Sequence, residues 1–170
     1  MKNKKLIMVI GILAAITLVL GYINIKSIDK TGAEDGTITF KWGENISSLS
    51  FEEITAIENH EFKAIEDTST SGPASRKFKG AFLKDVLNKA GIDDSVLESA
   101  KKVIVKGLDG YVIALAAQEV LTDNIYLAFE KNGKPLGNMK NGGSGPFQLI
   151  TVSDAFSQRW CKYVTEVSIE

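Results

Sequence analysis

An α+β fold with a mixed β-sheet and short helices is predicted by three observations. Apolar and polar residues alternate with period 2 in several short runs. The stretches with helical spacing are ten residues or fewer. No strands alternate regularly with long helices, as a doubly wound sheet would require. The chain has 170 residues, of which residues 37–170 are enough for one core of useful size.

The elements follow in order. Residues 37–42 (TITFKW) alternate and read as a strand. Residues 50–58 read as a short helix. Ser50 and Glu53 fit a capping box, and Phe51, Ile54 and Ile57 fall on one face. Residues 61–66 read as a strand. Residues 67–77 (DTSTSGPASRK) read as a polar loop. A helix over 81–90 turns Phe82, Leu83, Val86, Leu87 and Ala90 inward and stops at Gly91. A second short helix over 95–100 takes Asp93 or Asp94 as its cap. Residues 103–105 form a buried strand, 107–110 a turn, and 111–115 the returning strand of a hairpin. A helical turn is expected over 116–121 and a strand over 125–129, closed by Asn132-Gly133. Residues 141–146 (NGGSGP) are a glycine-rich loop before strands over 147–152 and 163–169.

The first 26 residues set the expected compartment. Lys2, Lys4 and Lys5 precede 20 uncharged residues over 6–25, enough to span a bilayer as a helix. The flanking lysines place the N-terminus in the cytoplasm and the rest outside. The region around residues 18–22 offers no small-x-small cleavage site, so an uncleaved single-pass anchor is favoured over a signal peptide that would leave a secreted domain. Residues 27–36 read as a linker, and 37–170 as the domain.

Charge and composition narrow the function. Residues 1–26 hold four lysines and no acid, so the formal charge falls from −1 for the chain to −5 for the remainder, which disfavours nucleic acid and anionic lipid as partners of the domain. One Cys and one His exclude an internal disulfide, a multi-cysteine cluster and a histidine-rich metal centre.

Four local patterns, in this order, resemble the oxidoreductase molybdopterin-binding domain family, the sulfite-oxidase-like fold. Residues 78–91 (FKGAFLKDVLNKAG) are similar to its F-x-G-x-x-L-x-D-x-L-x-x-A-G segment. Residues 103–111 resemble its apolar strand followed by an Asp-Gly-Tyr turn. Residues 127–136 (LAFEKNGKPL) are similar to its L-A-x-x-x-N-G-x-P-L run. Residues 145–150 (GPFQLI) and 160–164 (WCKYV) look like its last two segments. Together they cover about residues 40–170. The resemblance implies molybdopterin as cofactor and redox chemistry as activity.

Departures from the family pattern point elsewhere. The resemblance implies a molybdenum-ligating thiolate ahead of the F-x-G segment. Residues 64–77 contain no Cys, and Glu66, Asp67 and Thr68 stand near that place. A carboxylate is a poor substitute for sulfur toward molybdenum. Cys161 occupies a packing position in the last motif, and Gln148 replaces a frequent arginine.

Candidate binding residues are therefore Thr68, Ser69, Ser71, Ser75, Arg76 and Lys77, which could hold a small anion, together with Asp109 and Tyr111. No catalytic or metal residue is assigned. The plainer readings are a solvated loop for 67–77 and a turn that needs Asp-Gly for its conformation. The loop over 142–145 could present backbone N–H groups to an anion, but it lacks the lysine and helix of a P-loop, so a plain turn is preferred. His60 reads as an edge residue, and Trp42 and Trp160 as core or domain-edge aromatics. The expectation is an extracytoplasmic binding or accessory module that meets a small anionic ligand or a redox partner protein. A true molybdopterin oxidoreductase with an atypical metal site is the alternative.

Overall fold

The computed structural model describes residues 13, 15–17, 35–68, 72–155 and 157–170. The expected anchor falls almost wholly outside these residues, as do most of the linker and the candidates Ser69 and Ser71. No helix among the described residues is long and apolar enough to cross a membrane.

Among the described residues, ten strands form two five-stranded sheets. The first has the order β2-β1-β10-β5-β6, and the second runs β3-β4-β7-β8 with β9 also on β7. The first sheet contains β1 (Ile38–Trp42), β2 (Asn45–Leu49), β5 (Lys102–Gly107), β6 (Val112–Ala116) and β10 (Val164–Ile169). It is mixed, because β1 and β10 run parallel while its other pairs are antiparallel. The second contains β3 (His60–Thr68), β4 (Gly72–Phe82), β7 (Ile125–Lys131), β8 (Lys134–Pro135) and β9 (Gln148–Thr151), all antiparallel.

The helices are short and end where the local chemistry ends them. α1 (Phe51–Thr55) carries the expected capping box, with Ser50 and Glu53 each accepting from the other's backbone N–H. α2 (Leu83–Ala90) buries Leu83, Val86, Leu87 and Ala90, and closes on Gly91 at φ 96°, a left-handed value that glycine adopts without penalty. α3 (Asp94–Ser99) is capped by Asp93, whose carboxylate accepts from the N–H of Val96. α4 (Ala117–Val120) is a single turn.

Alternation fixes which faces are buried. Ile38 and Phe40 of β1, Val103 and Val105 of β5, and Ile113 and Leu115 of β6 turn to one core. There they join Leu83, Val86 and Leu87 of α2 and Ile125, Leu127 and Phe129 of β7. Each such side chain contributes about 1.5–3 kcal/mol by leaving water. A smaller cluster on the other face of the second sheet gathers Ala64, Phe78, Ala128, Leu136, Ile150 and Trp160. The glycine of the F-x-G segment is required by strand packing. At Gly80 a Cβ would lie 2.5 Å from the carbonyl oxygen of Leu127, beside the irregularity where β4 pairs with β7.

Two expectations are corrected here. Residues 67–77 are not a loop. β3 extends to Thr68 and β4 begins at Gly72, so most of the segment is paired as a long hairpin. β2 was also not expected. Its sequence, NISSL, has three polar residues in five and no clear alternation, and it is a strand because β1 pairs with it over all five positions.

Candidate functional site

The hairpin alternation distributes the predicted residues over two faces. Lys63 pairs with Lys77, Ala64 with Arg76, Ile65 with Ser75, and Glu66 with Ala74. Side chains alternate across a strand. Ser75 and Lys77 therefore share one face with Lys63, while Arg76 points to the other with Glu66. This corrects the expectation that Ser75, Arg76 and Lys77 would converge on one anion. A polar loop would have allowed convergence, but a ladder forbids it.

The Arg76 face carries an ion cluster. The Glu66 carboxylate accepts from Lys131 Nζ at 3.1 and 3.2 Å and lies 3.7 Å from Arg76 Nε. Glu66 is nearly buried, with 11% of its side chain exposed, against 35% for Lys131 and 39% for Arg76. The same face carries Phe62, stacked on Tyr126 at 3.9 Å, and Phe78, which meets the ring of Trp160 edge-on at 5.6 Å. Glu66 and Arg76 lie within residues 64–77, the stretch where the resemblance implies a ligating thiolate.

The opposite face holds a shallow cleft of about 370 Å³, lined by Lys77 and Lys79, by Glu61 and Glu130, and by Asn132 and Gly133. The Asn132-Gly133 turn bonds to β4 here: Lys77 N–H donates to Asn132 Oδ1, and Asn132 N–H donates to the Lys77 carbonyl.

A 3-10 turn over Ser157–Arg159 brings the two predicted regions together. The Ser157 hydroxyl donates to the carbonyl of Asp67 and accepts from its N–H. The next residue, Gln158, accepts through its carbonyl from the Tyr111 hydroxyl at 2.9 Å. Arg159 is fully engaged, with Asp154 on one side and Glu119 on the other at 3.0 Å. Its hydrogen bond holds the Glu119 carboxyl below the usual range, and those to Asp154 and Glu119 raise its own pKa. Sequence reasoning missed this turn. Apart from Asp154, five positions from Arg159, the partners of its polar residues lie 40 to 90 positions away.

The Asp109 turn is structural first. Asp109 Oδ1 accepts from the Tyr111 N–H, and Gly110 takes φ 84°. A Cβ on Gly107 would lie 2.7 Å from that Oδ1 and 3.4 Å from Cys161 Sγ, so glycine lets the turn close over the thiol. Cys161 is fully buried, and desolvation, helped by the Asp109 charge, pushes its thiol up to about 12. Gln148 is also fully buried, and neither its amide nitrogen nor its oxygen has a partner among the described residues. Among those residues, no three His, Cys, Asp or Glu side chains are gathered to hold a metal ion.

The glycine-rich loop binds itself. The N–H groups of Gly143, Ser144 and Gly145 donate to the carbonyls of Asn138, Leu136 and Gly137. None of these three is left to cradle an anion.

The family described as oxidoreductase molybdopterin binding domain matches residues 44–170. No curated protein matches. Among solved structures, the sulfane dehydrogenase SoxCD from Paracoccus pantotrophus superposes with a TM-score of 0.65 at 19% identity, over 81% of this chain and 38% of that one. The likeness is one of fold, and this chain spans little more than a third of that relative.

Proposed function

Because this chain belongs to the oxidoreductase molybdopterin-binding domain family, we propose that it is a member whose metal site has been lost and which serves as a ligand-binding or accessory module of a redox system. One observation carries the reading. Residues 64–77, where the family's thiolate is expected, hold no Cys, and Glu66 among them is already neutralised by Lys131 and Arg76. Molybdenum in this family is held by sulfur, and a carboxylate bonded to two cations is a poor ligand for it. The one thiol does not replace it. Cys161 is buried, kept protonated by its surroundings, and directed at the carbonyls of Tyr111 and Lys162. The residues present therefore do not fit a molybdenum-bearing cofactor.

The ligand role falls to the outer face of the hairpin, where Lys77 and Lys79 line the cleft and Ser75 and Lys63 lie on the same face. A small anion there meets the Lys77 and Lys79 ammonium groups, with the Glu61 and Glu130 carboxylates also on the lining. Arg76 is excluded from that role by its face. Asp109 and Tyr111 are placed in the role of supports, tied to the turn that also fastens the hairpin. We assign residues 1–26 to a single-pass anchor, 27–36 to a linker, and the domain to the extracytoplasmic side, on the strength of the flanking lysines and the uncharged run.

The test uses the full chain, expressed in a host that makes molybdenum cofactor and purified in detergent. Molybdenum and released pterin are measured per protein. Molybdenum far below one equivalent is expected. Near-stoichiometric metal and pterin overturn the reading and make the protein an oxidoreductase with a non-cysteine site. External protease on intact cells is expected to digest the domain.

A further inference from the structure

We propose that the anion cleft on the outer face of the hairpin is the head end of a longer groove. The groove holds a single-chain zwitterionic amphiphile, an aliphatic chain on a small head that carries an anion and an ammonium. The proposal rests on the anion site assigned above and names its ligand class. The cleft does not end at Lys79 and Glu130. The same two residues line a second hollow of about 350 Å³, which continues past Phe51 and Thr55 of α1 and Phe129 of β7 to Pro135. Phe51, Phe129 and Pro135 in turn line a third hollow, of about 270 Å³, which reaches Leu136 and Pro146. The three adjoin in that order, so a charged end passes into an apolar one.

The apolar part favours a chain over a peptide. Its floor is a set of packed rings, with Phe51 5.2 Å from Phe147 and 6.4 Å from Phe129, and the last two are buried. The polar groups along it are already engaged. The Thr55 hydroxyl donates to the Phe51 carbonyl, and the Asn59 amide donates to the carbonyls of Thr55 and Ile57. On the other wall Pro135 has no N–H, and the carbonyls of Leu136 and Gly137 accept from Ser144 and Gly145. A peptide needs partners for its backbone N–H and C=O groups, and this stretch offers no row of them. An aliphatic chain needs none and gains by leaving water.

The head end presents charges of both signs. Lys77 and Lys79 line it together with Glu61 and Glu130. In the ladder Lys79 stands between Glu61 of β3 and Glu130 of β7, yet none of the four makes a salt bridge among the described residues. A bare anion meets two carboxylates there as well as two ammonium groups. A head bearing both charges answers all four, its anion taking the lysines and its ammonium the glutamates. The anchor assigned above holds the domain beside a bilayer, a ready source of such amphiphiles, and Asp35 of the linker lines the apolar end of the groove.

The test uses the full chain in phosphatidylcholine nanodiscs and a lauroyl lysophosphatidylethanolamine with a diazirine at the end of its chain. Irradiation is expected to label peptides that hold Phe51 or Pro135. Unlabelled lauroyl lysophosphatidylethanolamine should compete about tenfold better than phosphoethanolamine, which lacks the chain, and than lauroyl lysophosphatidic acid, which lacks the ammonium. Pro135→Glu, at an exposed position, should abolish the first preference, and Glu61→Gln with Glu130→Gln the second. Circular dichroism checks that each variant is folded. Labelling elsewhere overturns the proposal, and so does labelling that Pro135→Glu leaves unchanged. Phosphoethanolamine that competes as well as the lysolipid overturns the groove and leaves the anion cleft standing. Equal competition by lysophosphatidic acid, or a preference that survives loss of both carboxylates, overturns the zwitterionic head. Failure of inorganic phosphate and of every lysolipid to bind overturns the anion site as well.

Discussion

Two polar segments of this domain, the β3–β4 hairpin and the glycine-rich loop between β8 and β9, use their backbones in opposite ways. In the hairpin the backbone is committed to a regular ladder, and the side chains are sent alternately to two faces. In the loop the backbone folds back on itself. Gly143, Ser144 and Gly145 donate to carbonyls a few residues earlier, and the Tyr163 hydroxyl donates to the Gly143 carbonyl at 2.5 Å. Binding chemistry can therefore reside in hairpin side chains, whereas the glycines of the loop serve the fold. Substitution should separate the two segments: the loop should fail in stability, and the hairpin should tolerate change.

The largest effect is expected at Gly143. A Cβ there would sit 2.3 Å from the Gly137 carbonyl oxygen and 2.4 Å from that of Leu136, both backbone atoms that cannot swing away. Gly143→Ala is expected to lower unfolding stability by about 3 kcal/mol or more, read by urea denaturation. A loss below about 1 kcal/mol would mean that the loop is plastic and the contrast false.

Next is the buried thiol beneath the Asp109 turn. Its folded pKa of about 12 lies above the ordinary value of 9.0 that it recovers on unfolding. The unfolded chain therefore loses that proton first as pH rises. The associated stability is complete below pH 9.0 and is lost progressively toward pH 12. Cys161→Ala should show a flatter decline over that window in a pH series of urea melts. In the native protein the thiol should resist alkylation near pH 8 until denaturant is added.

Glu66→Gln tests the ion cluster. It leaves Lys131 and Arg76 without their counter-charge, but both are about a third exposed and water screens them. The expected loss is about 1 kcal/mol. High salt should shrink the difference. The smallest effect is expected on the outer face. Lys63 and Lys77 are directly opposed like charges, so Lys77→Glu should stabilise the protein by about 0.5 kcal/mol. The same change should weaken binding of inorganic phosphate to the cleft, measured by calorimetry. Unchanged phosphate binding would remove Lys77 from the proposed site.

Several elements were legible because their causes are local. The capping box of α1, the glycine stop of α2, the Asn132-Gly133 turn and the Asp109-Gly110 turn each depend on residues within four positions of one another. The hairpin was misread because Ser, Thr, Gly and Pro favour turns in isolation, and only β3 against β4 reveals the alternation. The Ser157–Arg159 turn was invisible for a related reason. Nothing in its own sequence says that Asp67, Tyr111 and Glu119 will arrive beside it.

The α+β class, most of the strands and helix caps, the family, and the lack of a thiol in residues 64–77 can be read from the chain alone. Period, capping and composition are properties of neighbouring residues, so they survive without a fold. The parting of Ser75 and Lys77 from Arg76, the hold of Lys131 and Arg76 on Glu66, the burial of Cys161 under the Asp109 turn, and the Glu119–Arg159 contact at the end of β6 emerge only in the folded chain. Each of these depends on which distant strand becomes a neighbour, and strand order is set by burying one continuous core rather than by any segment alone.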